Sequence, residues 1–238
     1  MLSPILYPII KRTIDISGAA SGLILTSPVL LFLAAIIKLT SKGPILYRGN
    51  RVGRYGKPFD LLKFRTMVPD AERLGGSATA NDDIRLTSIG RKIRKYKLDE
   101  LPQLWNVLKG DMSLVGPRPE VEKYVKAYTK AERCILELPP GITDWATIWN
   151  SDEGAVLAGK PDPEKAYEEI IRPIKTELQL LYCRNRSLAI DVKIVFHTAI
   201  KIFIRNWVPK ELAAYGTSLH PTERCERGRK ALAEKAVN

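Results

Sequence analysis

The sequence predicts a mostly α-helical protein with a small β-hairpin, an α+β fold held at a membrane surface. Three observations carry this. Residues 16–37 form an uncharged apolar run of 22. Short apolar pieces at 45–47 and 59–64 flank a Gly- and Lys/Arg-rich turn at 53–57. The chain beyond Pro119 then carries apolar residues at helical spacing, most clearly over 187–207.

The totals bound what such a chain can be. A length of 238 residues suits one domain with appendages, and 45% hydrophobic residues suffice for a sizeable core. The net charge of +12 asks for a polyanionic partner: nucleic acid, anionic lipid or a phosphorylated substrate. Cys134, Cys183 and Cys225 are far apart and lack C-x-x-C spacing, which argues against a disulfide framework or zinc site and for a reducing compartment. His197 and His220 are too few for a His-rich metal centre and make a His-based triad a poor explanation. There is no internal repeat or low-complexity tract.

At about 1.5 Å per residue the apolar run is long enough to cross a bilayer core of about 30 Å. Against a straight span stand Pro28 near its middle, Ser27 with a hydroxyl for freed backbone groups, and basic residues on both flanks: Lys11 and Arg12 before, Lys38, Lys42, Arg48 and Arg51 after. Positive charge at both ends favours keeping both on the cytoplasmic side, so the segment would enter one leaflet, bend at Ser27-Pro28 and return. Hydropathy alone leaves both forms open. A cleaved signal peptide is not expected, because the run is long and no small-residue cleavage site follows. The hairpin comes next. Lys63 and Arg65, two apart, would share one face of its second strand. Residues 70–81, with Gly75-Gly76, read as a mobile loop.

Thr87 or Ser88 caps a short helix to Tyr96 with a basic surface of Arg91, Lys92, Arg94 and Lys95. Neither interleaved aromatics nor a reading helix accompanies this patch, so no nucleic-acid site is expected. Lys97 to Pro119 then holds the chemistry. Asp99 is expected to N-cap a helix with Leu101, Leu104, Trp105 and Leu108 on its apolar side, ending at Gly110. Asp99-Glu100 would thus lie at a helix start, which favours anions. Adjacent acids are poorly placed for glycoside hydrolysis but suit phosphate chemistry, one attacking phosphorus and the other helping to hold Mg²⁺. Cations precede them, and Gly116-Pro117-Arg118-Pro119 forms a rigid turn able to aim a guanidinium back.

A helix is expected over 121–138, with Val121, Val125, Tyr128, Ile135 and Leu138 inward, and a break at Pro139-Pro140-Gly141. Asp144, Asp152 and Glu153 read as polar loop residues and not as a second metal site. Asp162-Pro163-Glu164 starts a helix, and Arg172-Pro173 breaks it before another towards Arg184. Over 187–207, Lys193, His197, Lys201 and Arg205 form a polar face opposite Val192, Val195, Phe196, Ala199, Ile202 and Phe203, and Trp207 favours a membrane interface. Beyond Gly216 the chain is polar.

The run from Asp82 to Pro119 resembles the signature of the bacterial sugar transferases, the monotopic phosphoglycosyl transferases. Lys63-Phe64-Arg65-Thr66-Met67 and Ser27-Pro28 extend the likeness over most of residues 8–208. The resemblance implies transfer of a sugar-1-phosphate from a UDP-sugar to polyprenyl (undecaprenyl) phosphate through a covalent aspartyl intermediate, at the cytoplasmic face of the bacterial inner membrane. It implies Asp99 as nucleophile, Glu100 with Asp99 at a Mg²⁺ ion, Lys63, Arg65, Arg94, Pro117 and Arg118 at the substrate, and Ser27 and Pro28 as hinge of a re-entrant membrane helix. The organisation it suggests is 1–42 membrane helix, 43–208 catalytic domain and 209–238 polar tail, with membrane lipid as a partner and a homodimer compatible. Departures are Asp144 where the family usually has Gly, no arginine within 149–153 where the family often continues Asn-Gly-Arg, and Gln179 near a position often acidic. The competing reading is a non-catalytic basic membrane adaptor anchored by residues 8–40 that binds anionic lipid or nucleic acid. It would not require Asp99-Glu100 between cations.

Overall fold

The structure, a computed structural model, describes residues 6–204 and 207–215. Its first element, α1 (Leu6–Thr40), is one helix of 35 residues. Ser27 and Pro28 lie inside it, and the hydrogen bonding shows how the proline is accommodated. Pro28 cannot donate to the carbonyl of Ile24, but the Ser27 hydroxyl donates to that oxygen at 2.8 Å.

Both halves of α1 rest on the same folded unit. Tyr7 and Lys11 each donate to Asp191 at 3.0 Å, and Asp15 accepts the backbone N–H of Leu114 at 2.9 Å. Gly18 and Gly22 let Leu114 and Leu104 approach, and Ala19 joins Leu61, Val107 and Met112 in a buried cluster. Further along, Leu33 and Ile37 pack on Phe64 and Ile93. Between these seats Ile24, Leu25, Leu31 and Phe32 stand bare, each at least 65% exposed.

The expected hairpin is present. β1 (Leu46–Val52) pairs antiparallel with β2 (Pro58–Phe64), from Leu46 opposite Phe64 to Val52 opposite Pro58. The short helix is α2 (Ser88–Lys95), capped by Thr87, whose hydroxyl accepts from Gly90 N–H at 2.9 Å. α3 (Gln103–Lys109) leads to β3 (Ser113–Val115), which pairs in parallel with β4 (Gly141–Thr143). This two-stranded parallel sheet was not legible beforehand, since strands of three residues show no periodicity.

Between these strands the expected helix over 121–138 is broken. α4 (Glu122–Lys126) stops, and a 3-10 turn begins at Glu132–Glu137. The cause is local: Thr129 N–H donates to the Glu132 carboxylate at 2.6 Å, and Glu132 N–H to the Thr129 hydroxyl at 3.3 Å, a capping box that starts a new turn. Tyr124, Tyr128 and Ile135 remain buried. α5 (Trp145–Trp149) and α6 (Glu153–Leu157) follow.

The break expected at Arg172-Pro173 is absent. α7 (Pro163–Ala166) runs through a π-helical turn (Tyr167–Ile171) into α8 (Arg172–Asn185), and that wider turn accommodates the proline. Nor is the segment 70–81 loose. Arg85 donates to the carbonyls of Ala71, Gly76 and Ala78, and Glu164 accepts from Ser77, Ala78, Lys123 and Tyr124.

α9 (Leu188–Phe203) is the amphipathic helix, but its faces are reversed from a solvated polar stripe. Asp191 and Lys201 are buried, the latter donating to the Trp207 carbonyl at 2.9 Å, while Val192, Val195, Phe196, Ile202 and Phe203 point outward. His197 is not a solvated member of that face: it lies among the rings of Trp145, Phe196 and Trp207. Loss of water there pushes its pKa down, against the pull of Glu211. Arg205 and the chain beyond Tyr215, including Cys225 and His220, lie outside the described residues.

Glu164 reports on the pinned segment. Burial alone would raise its pKa, but the bonds from Ala78, Tyr124, Ser77 and Lys123 outweigh this and hold it at about 2, against an ordinary 4.5. A folded-state value below the unfolded one means that the carboxylate stabilises the fold above pH 4.5 and that this contribution is lost as pH falls towards 2. Glu164→Gln is therefore expected to lower the melting temperature at neutral pH and to flatten its decline between those two values. An acid limb identical to that of the unsubstituted chain in a pH series of thermal melts contradicts this.

Candidate active site

Lys97 takes a left-handed conformation (φ 57°), uncommon for a residue with a side chain, and so turns the chain sharply out of α2. The next residues, Leu98–Glu100, form a 3-10 turn that leads through Pro102 into α3. Asp99 is thus not a helix cap, as the sequence suggested. It lies inside the turn, because the reversal at Lys97 starts that turn one residue earlier. The apolar stripe is also rotated: Gln103, Asn106 and Val107 are buried, while Trp105 is half exposed. Asn106 is buried because its amide serves the edge of β2, accepting from Leu62 N–H at 2.9 Å and donating to the Asp60 carbonyl at 2.8 Å.

That junction brings Lys63, on β2, to the acids. Its ammonium lies 2.9 Å from Glu100 Oε1, and the Arg118 guanidinium pairs with the same oxygen. Burial would raise the pKa of Glu100, but Arg118, Lys63 and Lys97 overcome that and hold it well below the ordinary carboxylate range. For Lys63 burial prevails over the attraction of Glu100, and its pKa is lowered. Asp99 is buried, and its Oδ1 has no hydrogen-bond partner among the described residues.

Arg118 is delivered by a turn with almost no freedom. Gly116 and Gly141 cross so closely that a Cβ on Gly141 would sit 2.1 Å from Gly116 N. Gly116 N–H donates to the Thr143 carbonyl at 3.1 Å, and Gly141 N–H to the Pro117 carbonyl at 3.0 Å. The guanidinium itself also donates to the Ile142 carbonyl at 3.1 Å.

Comparison with known proteins gives the family. The family model described as bacterial sugar transferase matches residues 6–205. The chain belongs to the bacterial sugar transferase family. Among its relatives, the UDP-N-acetylgalactosamine-undecaprenyl-phosphate N-acetylgalactosaminephosphotransferase of Aeromonas hydrophila is 40% identical over 205 residues, covering 82% of this chain and 44% of that protein. The UDP-glucose:undecaprenyl-phosphate glucose-1-phosphate transferase of Escherichia coli (strain K12) is 40% identical over 202 residues, covering 82% and 40%. The uncharacterized sugar transferase EpsL of Bacillus subtilis (strain 168) is 40% identical over 196 residues, covering 82% and 88%. The chain thus spans less than half of the first two proteins and most of the third.

Not every residue expected at the transferase site reaches it. Lys63, Asp99, Glu100 and Arg118 converge, and Pro117 shapes the turn. Arg65 departs: β2 ends at Phe64, and beyond the strand its buried guanidinium donates to the carbonyl and hydroxyl of Ser41 at 2.9 and 2.7 Å. Arg94 is half-buried on α2 and makes no hydrogen bond to Asp99 or Glu100 among the described residues; its charge acts on Asp83, the partner of Arg85.

Sequence reasoning missed several neighbours. Asp144 is buried and caps α5 through Thr147, and Asp152 caps α6. Glu153 lies 3.5 Å from Lys175, which is also paired with Glu120 at 2.6 Å and accompanied by Tyr167. Burial opposes the charge of Glu153, but Lys175, Arg118 and Lys97 hold its pKa low. The spacing Asp144 to Thr147 is a cap signature that was available in the sequence. Nothing local announces Lys175 as a buried cation.

The crossing of Gly116 and Gly141 gives a direct test. Gly141→Ala drives a methyl into backbone, which cannot swing aside, so about 1–3 kcal/mol of stability is expected to be lost. Because the displaced strand carries Arg118, activity is expected to fall about 10²-fold in the fraction that stays folded. Thermal melts with activity normalised to folded protein check both, and a fully active, unshifted variant contradicts them.

Proposed function

We propose that this chain transfers a sugar-1-phosphate from a UDP-sugar to undecaprenyl phosphate through a phosphosugar carried on Asp99. The observation that carries the reading is the division of labour between adjacent acids. Glu100 is tied to two cations, whereas Asp99 is buried with Oδ1 uncommitted. The names of the Aeromonas and Escherichia relatives support the donor and acceptor classes.

In the first step an oxygen of Asp99 bonds to the sugar-bearing phosphorus, and the bond from that phosphorus to the bridging oxygen breaks, so UMP leaves with the electron pair. In the second an oxygen of the lipid phosphate attacks the same phosphorus and releases the Asp99 carboxylate. Arg118 remains cationic throughout and, with Lys63 beside it, offsets the charge gathering on the phosphoryl oxygens. Their shared contact with Glu100 Oε1 keeps them in place before substrate arrives.

The donor set also fits Mg²⁺, an ion that takes one or two protein carboxylates and otherwise binds phosphate oxygens and water. Both cations meet Oε1, and no hydrogen bond reaches Oε2 of Glu100 among the described residues. Glu100, with Asp99 beside it, would hold the ion, which when bound supplies Lewis-acid neutralisation of the diphosphate. Among the described residues no group of three or more His, Cys, Asp or Glu offers another place.

The bare apolar stripe of α1 and the outward apolar face of α9 support attachment to a membrane. Since both halves of α1 rest on one folded unit, the chain would enter from one side, the cytoplasmic side by its flanking charge, and stay monotopic. An adaptor would need the apolar surfaces but not a buried carboxylate with one oxygen uncommitted among the described residues beside an ion-paired one.

Asp99→Asn keeps the shape and removes the nucleophile. Intact-mass spectrometry after exposure to UDP-sugar alone is expected to show a phosphosugar adduct on the unsubstituted chain and none on the variant; an adduct on another residue refutes the assignment. Glu100→Gln is expected to lower turnover about 10²-fold and to leave the remainder weakly responsive to added Mg²⁺. An unchanged Mg²⁺ titration excludes Glu100 as ligand.

A further inference from the structure

Arg118 touches Glu100 at its tip, but its backbone is held by two other residues. Pro117 and Pro119 have no N–H, so Arg118 carries the only backbone donor of residues 117–119. That N–H donates to Asp144 Oδ2 at 3.0 Å. On the other side of the residue, the Arg118 carbonyl accepts from Gln179 Nε2 at 3.0 Å, and the same amide reaches Asp144 Oδ2 at 3.3 Å. Asp144 and Gln179 are 0% and 1% exposed. A loop and α8 thus close on both peptide groups of one arginine.

The two residues are themselves anchored. Asp144 Oδ1 accepts from Thr147 N–H and from the Thr147 hydroxyl at 2.7 and 2.8 Å, which fixes the carboxylate at the start of α5. Each oxygen of Asp144 therefore accepts two hydrogen bonds. An asparagine, with one acceptor oxygen, cannot serve both sides. Gln179 sits on a rigid helix beside Leu178 and Tyr182 of the main core.

We propose that Asp144 and Gln179 are positioning residues for the transfer reaction, acting through Arg118 by fixing its backbone so that the guanidinium meets the donor phosphate at a set depth. This rests on the reading of Arg118 as a phosphate-binding group. Neither residue needs to touch substrate. Without the clamp the guanidinium keeps its charge and its partner Glu100, but the turn can shift. Misplacement of about 1 Å can cost a reaction about 10²-fold.

The test is a double-mutant cycle on the full-length enzyme in membranes, with kcat and donor KM measured for UDP-sugar and undecaprenyl phosphate. Gln179→Leu and Asp144→Asn are made singly and on Arg118→Ala, with a thermal melt of each. We expect each single variant to lose about 10-fold or more in kcat with donor KM little changed, and neither to add to the loss caused by Arg118→Ala. Losses that multiply with that of Arg118→Ala overturn the inference alone. Full activity in Gln179→Leu overturns it even if Asp144→Asn does not fold. An Arg118→Ala enzyme as active as the unsubstituted one overturns the role given to Arg118 above, and the clamp falls with it.

Discussion

One carboxylate, Glu100, ties the structure together. It is reached by Lys63 from the hairpin and by Arg118 from the turn after β3, so three separate stretches of chain meet at one oxygen. Removing Glu100 from this trio would leave two cations uncompensated in a place with little water, which costs far more than an exposed pair contributes. The rest of the architecture can be read as what it takes to bring these groups within reach. Asn106 fastens α3 to the edge of β2, the two-stranded parallel sheet carries the turn, and the crossing glycines bring its backbone close enough.

The same economy governs α1. An apolar helix in lipid has no hydrophobic reason to lie on its own protein, because lipid tails are as apolar as leucine. Polar contacts and small residues do the holding. Arg12 donates to the carbonyls of Val107 and Leu108 at 2.7 and 2.9 Å, satisfying the C-terminal end of α3, the helix that follows the acid pair. α1 and α3 are therefore one mechanical unit, joined by a residue the sequence offered only as a flanking positive charge.

What could be read from the chain alone follows the range of the interaction involved. The hairpin, α2 with its Thr87 cap, the helix start at Asp162, the amphipathic α9 and the group of Lys63, Asp99, Glu100 and Arg118 depend on neighbours in sequence or on a motif, and they were legible. The inward turn of Asp191 and Lys201 was not, since Asp191 meets Tyr7 and Lys11 at the other end of the chain and Tyr182 on α8, and Lys201 meets the Trp207 carbonyl. Arg65 was misplaced because alternation along β2 was carried one residue past the strand. The break in 121–138 was readable in Thr129 and Glu132, and the helical period hid it. The cap that Asp144 gives Thr147 was readable, but the meeting of Asp144 and Gln179 with Arg118 lies beyond any local rule.

Those two residues also bear on the departures from the family pattern. Where the resemblance leads one to expect a glycine, Asp144 occupies a fully buried position. Where it leads one to expect an arginine, within 149–153, this chain has Asp152 capping a helix and Glu153 beside Lys175. A buried carboxylate is tolerable at 144 because its oxygens are surrounded by donors from Thr147, Arg118 and Gln179. An acid at 179 would replace the donated amide hydrogen with a second negative charge against Asp144, so the neutral Gln179 and the charged Asp144 are a matched choice. Acidity in this region is used to hold Arg118 and Lys175 from behind. That leaves Lys63, Lys97 and Arg118 as the cations gathered about Glu100.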